Sequence, residues 1–114
     1  MGRQKMYDTN KRVRNYLLQE EKCTDVWMKK HTRRLDRTYT PDHFYHSRDL
    51  FNLFDGIALN QNVIFFQAKT TNFPKTQMMN YFASRYPGVV VAAYVSRKIK
   101  NRIQIIKRAY PYNA

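Results

Sequence analysis

Apolar and polar positions repeat along this chain with two different periods, and the changes of period mark out its elements. From Asp8 to Glu21 the period is helical. Met6, Asn10, Val13 and Leu17 recur at steps of four, three and four, which is one helix face, while Arg12, Arg14, Asn15 and Gln19 fall largely elsewhere. Asp8 or Thr9 can cap this helix. One inner-face position, Asn10, is polar. Thr24 to Arg34 holds Val26, Trp27 and Met28 and then turns basic, which predicts a first strand. From Leu35 to Ser47 the pattern dissolves into Thr, Asp, Pro, His and Tyr, the composition of an exposed loop. Asp49 and Asp55 then bracket an apolar turn.

Two β-rich runs follow, Phe54 to Leu59 and Val63 to Lys69, separated by Asn60-Gln61-Asn62. Short Asn-rich connections between such runs predict a hairpin. Pro74 suits a first helical turn, and Lys75 to Tyr86 carries Met78, Met79, Phe82 and Tyr86 at helical spacing before Pro87-Gly88 ends it. Met78, Met79 and Phe82 are read as core. Val89 to Val95 is almost continuously apolar, as a strand covered on both faces must be. Arg97 to Arg102 reads as a basic turn, and Ile103 to Ile106, extendable to Tyr110, as the last strand. The order is helix, three strands, helix, two strands. It predicts a single α/β domain over residues 1–114, with a mixed sheet of about five strands flanked by two helices.

Charge changes this picture from a fold to a class of partner. Lys and Arg number 21 against 8 Asp and Glu, a formal net charge of +13. Asp55 is the last acid, so the second half of the chain must present a basic surface. That field attracts polyanions, nucleic acid first among them. Lys29, Lys30, Arg33, Arg34, Arg48, Lys75, Arg97, Lys98 and Lys100 are the candidate phosphate contacts, and Tyr39, Phe44 and Tyr45 can stack on bases or pin the loop to the core. No basic helix with a broad apolar face speaks for a membrane surface. Cys23 stands alone, so no disulfide framework or cysteine zinc site is expected, and a reducing compartment is the default. With no signal-peptide core and no apolar run of spanning length, the expectation is a cytoplasmic protein.

Candidate chemistry lies in the central hairpin. It folds the end of its second strand back beside the start of its first, so Asp55 should lie close to Gln67 and Lys69, whose side chains leave one face. A carboxylate, an amide oxygen and an ammonium then meet at a sheet edge. Asp55, Gln67 and the Ala68 carbonyl suit a hard cation such as Mg²⁺ or Mn²⁺. Lys69 suits a water-holding, charge-offsetting role in phosphodiester hydrolysis. His43 and His46 lack a third ligand and read as surface residues.

Asp55, eleven intervening residues and Gln67-Ala68-Lys69 resemble the PD-(D/E)xK nuclease superfamily, the restriction-endonuclease-like fold. The stretches Asp49 to Ala58 and Val63 to Lys69 are similar to its small phage and archaeal branch of Holliday junction resolvase-like proteins. The resemblance implies a restriction-endonuclease-like core, metal-dependent cutting of DNA, branched DNA as a substrate, and a homodimer. It also makes Asp55, Gln67 and Lys69 catalytic, with Asn10 at the place where many members carry a helix glutamate. Two departures stand out. Gln67 replaces the usual acid of the second half-motif, and Asn10 replaces the helix glutamate, which lowers the negative charge available to a metal. Asn10 reads equally as a buried amide, and Asp49 as a turn cap or a second carboxylate. The alternative function is a non-catalytic basic nucleic-acid-binding module on the same fold. A packaging protein that merely neutralises nucleic acid is a third reading.

Overall fold

A computed structural model describes residues 2–29, 50–51 and 53–113, with side chains from Asp8 onward. Helix α1 spans Gly2–Gln19, and helix α2 Thr76–Arg85; the strands are β1 (Asp25–Met28), β2 (Gly56–Leu59), β3 (Val63–Lys69), β4 (Val90–Ile99) and β5 (Arg102–Tyr110). The five strands form one sheet in sequence order. All neighbours are antiparallel except β3 and β4, which run parallel and are joined through α2. The mixed sheet with two helices therefore agrees with the expected α/β class.

Period-two alternation in β3 sends its side chains to two different layers. Ile64, Phe66 and Ala68 pack with Val13 and Leu17 of α1, Ala58, Ala92 and Tyr94. Phe65 leaves the other face and joins Phe54, Phe82, Met79, Val91 and Ala93 beneath α2. Phe54, Phe65 and Phe82 have ring centroids 4.8–5.7 Å apart. β4 is buried on both faces from Val91 to Ser96, because a helix lies on each side of it. The Tyr94 hydroxyl is buried without a hydrogen bond. Burial, reinforced by Glu21 and Cys23, pushes its pKa far above the ordinary phenol value. Cys23 is a free, buried thiol whose pKa burial likewise raises. Among the described residues no helix is long and apolar enough to cross a membrane.

Several local expectations change. Helix α1 begins well before Asp8, so neither Asp8 nor Thr9 caps it. Thr9 is instead fully buried, its hydroxyl 3.1 Å from the Thr70 hydroxyl. Pro74 precedes α2 instead of sitting in its first turn. Met79 is fully buried but Met78 is 56% exposed, because adjacent helix positions point about 100° apart and only one can face the sheet. The basic turn expected over Arg97 to Arg102 shrinks to Lys100-Asn101. Both have positive φ, 50° and 65°, the geometry of a two-residue hairpin turn. Arg97 and Lys98 therefore lie on β4, opposite Gln104 and Ile103.

Candidate functional site

The candidate site forms where β2 begins and β3 ends. Gly56 stands opposite Phe66 in the register, and the Asp55 N–H also donates to the Phe66 carbonyl, at 2.8 Å. Two residues of one strand thus face one of the other, which is the pattern of a β-bulge. A bulge re-aims a side chain, and here it turns the Asp55 carboxylate onto β3 beyond the end of the ladder. Asp55 Oδ2 accepts the Ala68 N–H at 2.7 Å, replacing the main-chain carbonyl that a continued β2 would offer. Gly56 is required beside it. A Cβ there would collide with the Trp27 carbonyl and come within 2.6 Å of the Phe66 ring.

Asp55 is only 8% exposed, and a buried carboxylate needs a counter-charge. Lys29 Nζ lies 3.4 Å from Asp55 Oδ1, and the Lys29 N–H donates to the Asp55 carbonyl at 2.9 Å. Lys29, expected on the phosphate-contacting surface, is thus the carboxylate's partner. Ala68 is well placed for a second donor. Its N–H points at Asp55, and the carbonyl of a strand residue leaves the same edge as its N–H.

Gln67 lies on the α2 face. Its Nε2 donates to the Leu53 carbonyl at 2.6 Å and lies 3.8 Å from the Met79 sulfur. The amide therefore ties β3 to the turn over 50–54, where Leu50 and Phe54 form an isolated bridge. Its Oε1 accepts no hydrogen bond among the described residues and is the end that can meet a ligand. Lys69, half-buried, follows on the same face.

Asn10 belongs to the other layer. Helix α1 packs on the face carrying Phe66 and Ala68, and the Thr9–Thr70 contact holds it at the end of β3. The sheet stands between Asn10 and the side chains of Gln67 and Lys69. Asn10 Oδ1 is buried with no hydrogen-bond partner. The main chain does not satisfy this oxygen, so a simple main-chain-bonded amide does not account for Asn10. Asp49, Lys30, Arg33, Arg34, Arg48, His43, His46, Tyr39, Phe44 and Tyr45 lie outside the described residues. Arg97 is half-buried and Lys98 exposed on β4, Lys100 is exposed in the β4–β5 turn, and Lys75 is exposed before α2.

Among the described residues no group of three His, Cys, Asp or Glu side chains converges. One carboxylate, one main-chain carbonyl and one amide oxygen fit only a cation that keeps most of its waters, as Mg²⁺ does. That cation would share Asp55 with Lys29. Two features here had no clear sequence signal: the ion pair with Lys29, which depends on β1 pairing with β2, and the Leu53 bond that claims the Gln67 amide. In comparisons with known proteins the chain matches no family model, no curated protein and no solved structure.

Proposed function

We propose that this protein binds DNA and hydrolyses its phosphodiester bonds at the Asp55 centre with Mg²⁺ or Mn²⁺, as a small PD-(D/E)xK-like endonuclease. One observation carries the reading: the bulge that turns the Asp55 carboxylate onto the Ala68 amide, beside Gln67 and just before Lys69. Asp55, the Ala68 carbonyl and Gln67 Oε1 would hold the cation. Bound there, it supplies charge neutralisation at the phosphate and a water of lowered pKa. Lys69 donates to the attacking water or to a phosphate oxygen, offsetting charge as it builds. Lys29 holds the carboxylate in place. Branched DNA is the proposed substrate, and a homodimer, which sets two centres on two strands, the proposed assembly.

The test is cleavage of plasmid and four-way-junction DNA with Mg²⁺ or Mn²⁺. Asp55→Ala and Lys69→Ala are expected to lower the rate about a hundredfold or more each, with the circular dichroism spectrum kept. Equal cutting by wild type and both variants would remove the site.

A second reading is a non-catalytic binding module on the same fold. It is favoured by the Lys29–Asp55 pair and by the commitment of the Gln67 amide to Leu53. It requires DNA binding that ignores divalent metal and no cleavage in any condition.

A further inference from the structure

A second organised cluster lies on the α2 face, over β4 and β5 beside Lys69. Register puts Gln67, Ala93 and Arg108 in one lateral row, Lys69, Val95 and Ile106 in the next, and Arg97 with Gln104 in the one after. The Arg108 guanidinium carbon lies 4.0 Å from the Phe73 ring centroid and 3.9 Å from that of Tyr112. Arg97 donates through Nε and a terminal nitrogen to the Thr71 carbonyl, at 3.3 and 2.9 Å, and lies 5.9 Å from the same Phe73 ring.

The platform beneath these groups is built. Asn80 Nδ2 donates to the Tyr112 carbonyl at 2.8 Å, and the Tyr112 N–H donates to Asn80 Oδ1 at 2.6 Å. Those two bonds anchor the C-terminal segment to α2 and hold the Tyr112 ring against Arg108. Tyr110 packs edge-on to Tyr112 with its hydroxyl buried and without a hydrogen bond.

Two guanidinium groups share one aromatic ring, and no carboxylate pairs with either among the described residues. None is available nearby in sequence, because the chain has no Asp or Glu after Asp55. Stacking engages the faces of a guanidinium and leaves N–H edges for an acceptor: Arg97 spends its Nε edge on the Thr71 carbonyl and keeps the outer edge of its two terminal nitrogens, while Arg108 makes no hydrogen bond to a main-chain oxygen or carboxylate among the described residues. Those edges fit two oxygens of a phosphate at once, which an ammonium cannot do. An arginine restrained by rings loses less rotamer freedom when it binds. The cluster also continues into Lys69, which lies two strands across the sheet from Arg108 and one row further along it.

We propose that Arg97 and Arg108, set in place by Phe73 and Tyr112, form a phosphate clamp that holds the backbone of a nucleic-acid strand beside Lys69. The clamp rests on the nucleic-acid reading above and extends the contact surface to Arg108, Phe73 and Tyr112. It requires neither a divalent metal nor Asp55.

The experiment has two arms, both on the full chain with EDTA present. In the first, inorganic phosphate is titrated while the Arg Nε–H resonances are followed by NMR; those of Arg97 and Arg108 should shift and the rest stay in place. In the second, binding of a fluorescent oligonucleotide is measured by anisotropy across a salt series. Arg108→Gln should weaken binding about tenfold and flatten the slope of log K against log salt by about 1. Phe73→Leu keeps every charge and should weaken binding about threefold, which covers the case that Arg108→Gln does not fold. Lys11→Gln, an equal charge change on exposed α1, should stay within about twofold. Equal losses in Arg108→Gln and Lys11→Gln, or unmoved resonances in phosphate, would overturn the clamp. A wild type that ignores the oligonucleotide while phosphate still shifts both resonances would support an anion clamp and sink the nucleic-acid function.

Discussion

The Gln67 amide nitrogen donates to the Leu53 carbonyl at 2.6 Å, a bond that an ionised carboxylate in the same place cannot make. Gln67→Glu would instead set an anionic oxygen against a carbonyl oxygen. The variant should lose about 1–3 kcal/mol at neutral pH, read by urea denaturation. The introduced carboxyl would have a folded-state pKa above its ordinary value of about 4.3. The folded state then keeps a proton that the unfolded chain has released, so stability falls as pH rises through that range. The deficit against wild type should close towards acid pH. A deficit unchanged between acid and neutral pH would mean that the Leu53 bond is not what selects glutamine. At this scale the approach of Asp55 to the end of β3 was legible, because hairpin spacing brings the start of β2 beside the end of β3 whatever surrounds them. The Lys29 partner was not, since nothing local to Lys29 says which strand β1 will join.

Among elements, the β4–β5 hairpin differs most from its sequence pattern. The run Arg97 to Lys100 is basic and reads as a turn, yet Arg97, Lys98 and Ile99 continue the ladder to Arg102. Pairing with β5 satisfies their main chain, and long basic side chains on an edge hairpin reach water easily. The chain reverses only at Lys100-Asn101, where two positive φ angles are required. Asparagine tolerates that region and glycine more so. Asn101→Gly should therefore raise stability by up to about 1 kcal/mol, seen as a higher melting temperature. A lower melting temperature would mean that the Asn101 side chain stabilises the turn by more than the left-handed backbone costs. Helix α1 shows the opposite behaviour. Its inner stripe was legible through Val13 and Leu17, both fully buried, whereas its start was not, because no capping signal marks Gly2.

At the scale of the molecule, the chain carries a net charge of +13, and the α2 face of its sheet holds Lys69, Arg97 and Arg108 in neighbouring rows. The proposed pairing of two copies predicts sedimentation at twice the 13.8 kDa chain mass at working concentration. A single-chain mass there would remove the dimer and leave the Asp55 centre to act on one strand at a time.

Residue order alone determined the α/β class, the order of elements and the strong positive field. Periodicity is a property of neighbouring residues, and charge is a property of composition. It also placed Asp55 beside the end of β3, because a three-residue connection leaves a hairpin little freedom. Only the tertiary structure decided what those side chains face. The bulge that turns Asp55 onto Ala68, the sheet that separates Asn10 from Gln67, the ring platform under Arg108 and the pairing of Lys29 with Asp55 all arise from contacts between segments distant in sequence. Such contacts depend on which strands become neighbours and which face each helix covers, and no local pattern encodes either.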